Sequence, residues 1–524
     1  MDFNKTLKKM KNIHKYIAVT FLTLFITACN RDEIAEVNIN PSFPTNVEPI
    51  FLLPSIQAQM AVGIQFDSRF IGKYVQYFSH ATAVDVWDRY GYAASSDSGG
   101  EIWKVAYYSI GRNLSNVITE AEKAQRYDIQ GMGKVIRAWS WQQTTDYHGE
   151  IIKFDQVFTA RLTFDYATQQ EAYDEVTRLT LEGIADMERT DGKYDISYTK
   201  KGDLIYGGDK SKWIKFGYGV LARNANNLIN KSTYNPVKVI EYVDKSLAST
   251  ADDCYVKHSG TSTADGNFYG NLRNNLSLYR QSDFIVRAMD GTIFTGAVDP
   301  RMVNVLVPSA DGVVRGNPLY TSAGTVAATR IPNLWGGTTQ PVASLTGRYL
   351  FRNNADFPLM TYSELQFIKA EAAFRKGDKA MALDAYKKGI EASIDMVNKN
   401  TVVSTVYPTA SIITPAQKAA FLADVNVVPT AANLTIKHIM MQKYVALFGF
   451  GFLETWTDMR KYHYDNTVYE TIAFPTLFAD NNGKLAYRVR PRFNSEYVWN
   501  FAALQSIGAD KPDYHTVEMW FSQP

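Results

Sequence analysis

The sequence predicts an all-α, mainly helical fold with long inserted loops and a few short strands. From residue 50 onward apolar residues recur three and four apart, in stretches short enough to pair as hairpins. Between about 250 and 358 that period disappears and Gly, Ser, Thr and Asn take over, which predicts ordered loops with short strands. Helical period then returns from 361 to 461.

Taken in order, the first helix is predicted over 52–61, with Pro54 in its first turn, where a missing N–H costs little. A second follows over 67–80. The third, 101–125, carries Trp103, Tyr107, Ile110, Leu114, Val117, Ile118 and Ala121 on one face. Gly131-x-Gly133 predicts a break before a helix over 134–147. Helices over 173–187 and 212–229 are joined by the Gly-rich run Ile205-Tyr206-Gly207-Gly208-Asp209. Inside the loop region, 302–307 is β-prone. The remaining helices fall over 361–376, 379–399, 415–423 and 434–461, and 485–524 is aromatic and irregular.

At 524 residues, with 46% hydrophobic and 21% charged residues, the chain is long enough for one large core. Residues 1–28 hold five Lys and one Asp ahead of and within an apolar run that ends Ile26-Thr27-Ala28-Cys29. That is the layout of a secretory signal, too short to span a bilayer comfortably. Without it, 50 basic residues face 52 acidic ones, so no electrostatic footprint for nucleic acid exists. The expected division is a signal peptide over 1–28, an acylated N-terminus and polar linker over 29–48, and one helical domain over 49–524 with the insertion at about 250–358. With Cys29 at the end of the leader, Cys254 has no remaining partner, and no CxxC pair or Cys/His cluster occurs, so no metal or cofactor is expected. Nucleophile elbow, P-loop and dinucleotide fingerprints are missing too. The unusual quantity is the aromatic share. At 32 Tyr, 28 Phe and 9 Trp, it leaves rings for a stacking surface beyond those the core takes.

Two kinds of resemblance add to this. Ala370, Ala373, Gly377, Ala382, Tyr386 and Gly389 have the spacing of a tetratricopeptide-like hairpin, in which small residues let two helices approach and an aromatic fills the groove. Ile26-Thr27-Ala28-Cys29 resembles a bacterial lipobox, which makes Cys29 the acylated residue, and the acidic Asn30-Arg31-Asp32-Glu33 after it resembles a surface-export signal. Five further stretches run in order along the chain: Ile136-Arg137-Ala138-Trp139 into Thr145-Asp146-Tyr147-His148-Gly149-Glu150; Asp203 to Asp209 with Lys212-Trp213-Ile214-Lys215-Phe216; Met360 to Ala372 with Ala385-Tyr386-Lys387-Lys388-Gly389; Gln442-Lys443-Tyr444 with Glu454-Thr455-Trp456 and Arg460; and Pro491-Arg492-Phe493-Asn494-Ser495-Glu496. Together they resemble the SusD/RagB family of nutrient-binding outer-membrane lipoproteins, in its SusD-like branch. The sequence departs from the family's pattern after Gly149-Glu150, where Ile151-Ile152 stands in place of a proline turn.

The resemblance implies a helical domain on tetratricopeptide-like hairpins, a SusC-like TonB-dependent transporter as partner, and an oligosaccharide or peptide ligand. It also implies attachment to the outer membrane through N-terminal acyl chains. Sugars bind by their C–H faces on aromatic rings, with Asp, Asn, Arg and Gln fixing the hydroxyls. Asp85-Val86-Trp87-Asp88-Arg89-Tyr90-Gly91-Tyr92 offers all of these in a predicted loop, so Trp87, Arg89 and Tyr90 lead the candidates, with Asp85 beside them. The competing reading has Trp87 plugging the core and Arg89 paired with Asp85 or Asp88. In the insertion, Asn333 and Trp335 lie beside Gly336-Gly337, which suits either a stacking platform or a buried cap. Asp146-Tyr147-His148-Gly149-Glu150 holds metal-capable side chains without the HExxH spacing, and reads as a helix end with a satisfied histidine. Glu364 and Glu371, two turns apart on one helix face, read as partners for neighbouring helices. No residue is assigned a catalytic role. A peptide-binding member of the same family, and a surface glycoside hydrolase, are the alternatives.

Overall fold

A computed structural model describes residues 47–338, 347–403 and 411–524. The predicted signal peptide and Cys29 lie outside these residues. The fold is mainly helical, as the periodicity requires, and Pro49–Pro524 cluster as one unit. The ten longest helices carry it: α1 (Pro49–Tyr74), α2 (Gly111–Lys123), α3 (Tyr127–His148), α4 (Gln169–Glu188), α5 (Lys210–Asn226), α6 (Pro236–Lys245), α7 (Tyr362–Lys376), α8 (Lys379–Asn400), α9 (Ile436–Ala446) and α10 (Phe452–Lys461).

Several boundaries differ from the sequence reading, each for a physical reason. The two predicted N-terminal helices are one, α1, because Ile56, Met60, Ile64 and Ile71 continue a single buried stripe through the supposed gap. Gly131-x-Gly133 does not break a helix. It lies inside α3, where a side chain at Gly131 would collide with the carbonyl of Gly183 in α4. The glycines let two backbones touch. Helix α6 escaped the periodicity, although Asn235 caps it, accepting from the Val237 and Lys238 N–H groups, with Pro236 in the first turn. The stretch 434–461 splits into α9 and α10 because Phe448 and Phe450 both turn into the core between them. Residues Met302–Val305 form a helical turn instead of a strand, since Asp299 accepts from both the Arg301 N–H and its guanidinium, winding the chain there.

The α7–α8 pair is the hairpin the small residues predict. Thr361 caps α7 by accepting from the Glu364 N–H, and Gly377 ends it at φ +88°, a conformation that side chains disfavour. Tyr386 fills the groove and donates to the Val427 carbonyl at 2.7 Å. Strands are few and paired antiparallel: β1 (Phe78–His80) with β5 (Tyr279–Gln281), β2 (Ile151–Ile152) with β3 (Tyr166–Ala167), and β4 (Cys254–Val256) with β6 (Phe357–Met360). The loop insertion is thereby stitched to α1 and α7 at its ends. Among the described residues no helix is long and apolar enough to cross a membrane.

Charges bind the helices together from inside. Arg223 of α5 donates two 2.6 Å bonds to Glu364 of α7 and pairs with Glu454 of α10 at 3.2 Å. Lys461 of α10, fully buried, pairs with Glu371 and Asp458, both at 2.9 Å, and Lys443 of α9 meets Asp458 at 2.8 Å. Burial alone would raise the Glu371 carboxyl, but Lys461, Lys443 and Arg375 outweigh it and hold it down at about 2.

Candidate functional site

The Asp85–Tyr92 segment leaves α1 through β1 and coils into a tight turn over Trp87–Arg89. Asp85 is half-buried: its carboxylate pairs with the fully buried Lys73 of α1 and accepts the Trp87 N–H at 2.8 Å. Trp87 is 4% exposed and packs against Phe70 and Tyr74, with ring centroids 5.0 and 5.4 Å away. Arg89, partly exposed, donates to the Thr476 and Leu477 carbonyls and covers the Tyr320 ring at 5.1 Å. Tyr90 is sealed in, stacked on Tyr74 at 5.2 Å, its hydroxyl donating to the Tyr74 carbonyl.

In the insertion, Asn333 is 1% exposed and spends its amide oxygen on the Trp335 and Gly337 N–H groups. The Trp335 indole, also 1% exposed, donates to the Tyr269 carbonyl at 2.8 Å. Tyr90, Asn333 and Trp335 are therefore interior residues and present no open face to a ligand. The physical reason is similar in all three: the Tyr90 hydroxyl, the Asn333 amide oxygen and the Trp335 indole N–H each find a backbone partner inside the fold.

Of the six, Trp87 lines an open cleft. The cleft, about 210 Å³, runs between the loop Tyr92–Gly100 and the segment Arg488–Phe493, with Tyr497 and Phe501 on its far side. Arg490 organises it. Its guanidinium lies 4.4 Å from the Tyr92 ring and 5.1 Å from the Tyr497 ring, donates to the Tyr497 hydroxyl at 2.8 Å, and donates to the Ala509 carbonyl at 2.9 Å. Phe493 stacks on Tyr497 with centroids 5.6 Å apart. Asp97 clips the two sides together by pairing with Arg492 and accepting the Asn494 N–H at 2.8 Å. Beneath the loop, the buried Asp67 of α1 accepts the Ile102 N–H at 2.8 Å, and burial pushes its carboxyl up to about 8, so it holds a proton at neutral pH.

Aromatic faces, an arginine held in place and the hydroxyls of Ser95, Ser96 and Ser98 make a surface for an uncharged, polyhydroxylated ligand. Asp510 is the one carboxylate among the described residues that line the cleft. The Asp146–Glu150 stretch ends α3 as its sequence suggested. His148 Nδ1 meets the Val489 carbonyl at 3.1 Å, burial pushes the imidazole down to about 3, and Glu150 pairs with Arg488 at 2.5 Å. Among the described residues no three His, Cys, Asp or Glu side chains stand together as a metal site. The sequence reading missed the C-terminal half of the cleft. Its signal is the Pro491-Arg492-Phe493-Asn494-Ser495-Glu496 run inside the aromatic tail, which in the sequence carries family likeness alone.

A family profile described as "Starch-binding associating with outer membrane", SusD-like, matches residues 41–490. Solved structures share the fold. A SusD/RagB family protein from Bacteroides thetaiotaomicron VPI-5482 is 22% identical, with 91% of this chain and 99% of that chain covered and a TM-score of 0.71. A chitin-binding protein is 20% identical, with 91% and 100% covered and a TM-score of 0.68. A chitin-binding SusD homolog from Flavobacterium johnsoniae is 18% identical, with 90% and 97% covered and a TM-score of 0.64. Comparison with curated protein sequences finds no match.

Proposed function

We propose, since the chain belongs to the SusD-like family, that it binds an oligosaccharide at the outer membrane and passes it on without breaking a bond. The observation that carries this reading is the cleft itself, where Tyr92, Phe493, Phe501 and Trp87 surround Arg490 and a serine-rich loop. Stacking rings with a fixed planar donor suit sugar faces and their hydroxyls. Two similar structures are named as chitin-binding, which supports a glycan over a peptide. Hydrolysis of a glycosidic bond ordinarily takes two carboxyl groups flanking it, and the cleft offers Asp510 alone.

Location and partner complete the proposal. Acylation of Cys29 would tether the protein to the outer membrane, facing outward, and a SusC-like TonB-dependent transporter would take the cargo. Both rest on the lipobox and the family likeness. The test is affinity electrophoresis through starch and through soluble chitin oligosaccharides, with product release assayed in parallel. Retention without new reducing ends is expected, and Phe493→Ala with Arg490→Ala should lower the affinity about tenfold, as loss of an aromatic or arginine anchor does. Migration unchanged by every glycan, or steady release of product, would refute the reading.

A further inference from the structure

On the other side of the Phe493–Tyr497 segment lies a second, larger cavity of about 430 Å³. Its floor is Trp103, Tyr107 and Phe164, and Arg492 lines both it and the first cleft. Its rim is unusual for a soluble surface: Tyr108 is 80% exposed, Trp499 74% and Leu162 89%. Single exposed apolar residues are ordinary, but here three stand around one opening.

Local backbone explains the arrangement. Val105–Ser109 form a π-helical turn whose extra residue sends Tyr107 inward, its hydroxyl accepting the Ile152 N–H at 3.0 Å, while Tyr108 points to solvent. A second π-helical turn, Phe493–Tyr497, divides the ridge, giving Phe493 and Tyr497 to the first cleft and Ser495 and Glu496 to the second cavity. Such turns are rare and gather at functional sites. Both π-helical turns among the described residues border this cavity.

The charges decide what the cavity can accept. Lys104 is paired with Glu101 at 2.9 Å, and Arg492 is paired with Asp97. Glu496 accepts from the Tyr166 hydroxyl at 2.5 Å and from the Asn500 amide at 3.0 Å. Every ionised group on the lining already has its partner within the protein, so an anionic sugar finds no counter-charge to offset its desolvation.

We infer that this cavity is a second sugar subsite, joined to the first across Arg492, in which Trp499 and Tyr108 stack neutral sugar units of a longer chain. This rests on the glycan reading of the first cleft and adds to it two things: a requirement for chain length, and selection against uronic or sulfated sugars.

The test is calorimetric titration with maltoheptaose and chitohexaose, their disaccharides, and oligogalacturonate, using the full chain and the Trp499→Ala/Tyr108→Ala pair. The double variant should bind the preferred long chain about tenfold more weakly and its disaccharide unchanged. Affinity for the neutral chain should be the same at low and high salt. Trp499→Phe, which keeps a ring, should restore most of the loss when Tyr108 is intact, and melting curves verify that each variant folds. Undiminished binding of long chains by a folded double variant overturns the second subsite while leaving the first intact. Tighter binding of oligogalacturonate than of neutral chains overturns the selectivity. If the unaltered protein binds none of these sugars, the first reading falls and this one with it.

Discussion

Two regions of the molecule use the same chemistry in opposite settings. Between α5, α7, α9 and α10, arginines, lysines and carboxylates are sealed away against one another, as in Arg223 with Glu364 and Lys461 with Glu371. Along the C-terminal ridge, Arg492 pairs with Asp97 and Arg490 is held by carbonyls and the Tyr497 hydroxyl, and both stand partly exposed beside aromatic rings. The first set fixes how helices dock, because a buried charge is tolerated only with its partner in place. The second suits the proposed binding surface, because an arginine held by its neighbours loses little freedom when a ligand arrives. Burial, and not residue type, separates scaffold from site.

The sharpest way to break this contrast is Glu371→Ala. It leaves Lys461 buried without one of its two carboxylate partners and should cost about 3–5 kcal/mol in denaturant unfolding. A loss under about 1 kcal/mol would mean that water reaches the network and that the two regions do not differ. Next in size is Trp335→Ala, expected to cost about 3 kcal/mol through the emptied interior while leaving sugar binding unchanged. Weakened binding at full stability would move the site back into the insertion.

The last contrast is in the pH dependence, where two groups act with opposite sign. The His148 imidazole is pushed by burial from the ordinary 6.5 down to about 3, so the unfolded chain takes up the proton first. Its contribution to stability is whole above about pH 6.5 and is lost as pH falls through about 3. The Asp67 carboxyl is pushed up to about 8, so its contribution is whole below about pH 4 and is lost as pH rises through about 8. Thermal melts against pH should show the acid limb shallower in His148→Gln and the alkaline limb shallower in Asp67→Asn. Unchanged limbs would mean these groups are solvated in the native state.

The helical scaffold was legible because periodicity reports which face of a helix meets a neighbour. The Ala370–Gly389 hairpin could be read almost residue by residue. Gly131 misled because a helix-breaking residue and a residue permitting backbone contact look identical until the partner, Gly183, is known. The residues of the proposed sites were harder still. Trp87, Tyr90 and Trp335 share composition with Tyr108 and Trp499, and what separates them is a backbone carbonyl or ring waiting inside the fold, 16 residues away for Tyr90 and 66 for Trp335. Spacing carries no record of that.

The most direct measurement is hydrogen–deuterium exchange of the full chain during titration with whichever of maltoheptaose or chitohexaose it binds. Protection should concentrate in residues 92–100 and 488–501, leaving the segment around Trp335 as it was. Protection centred on the insertion, with the C-terminal ridge exchanging freely, would contradict the placement of the site.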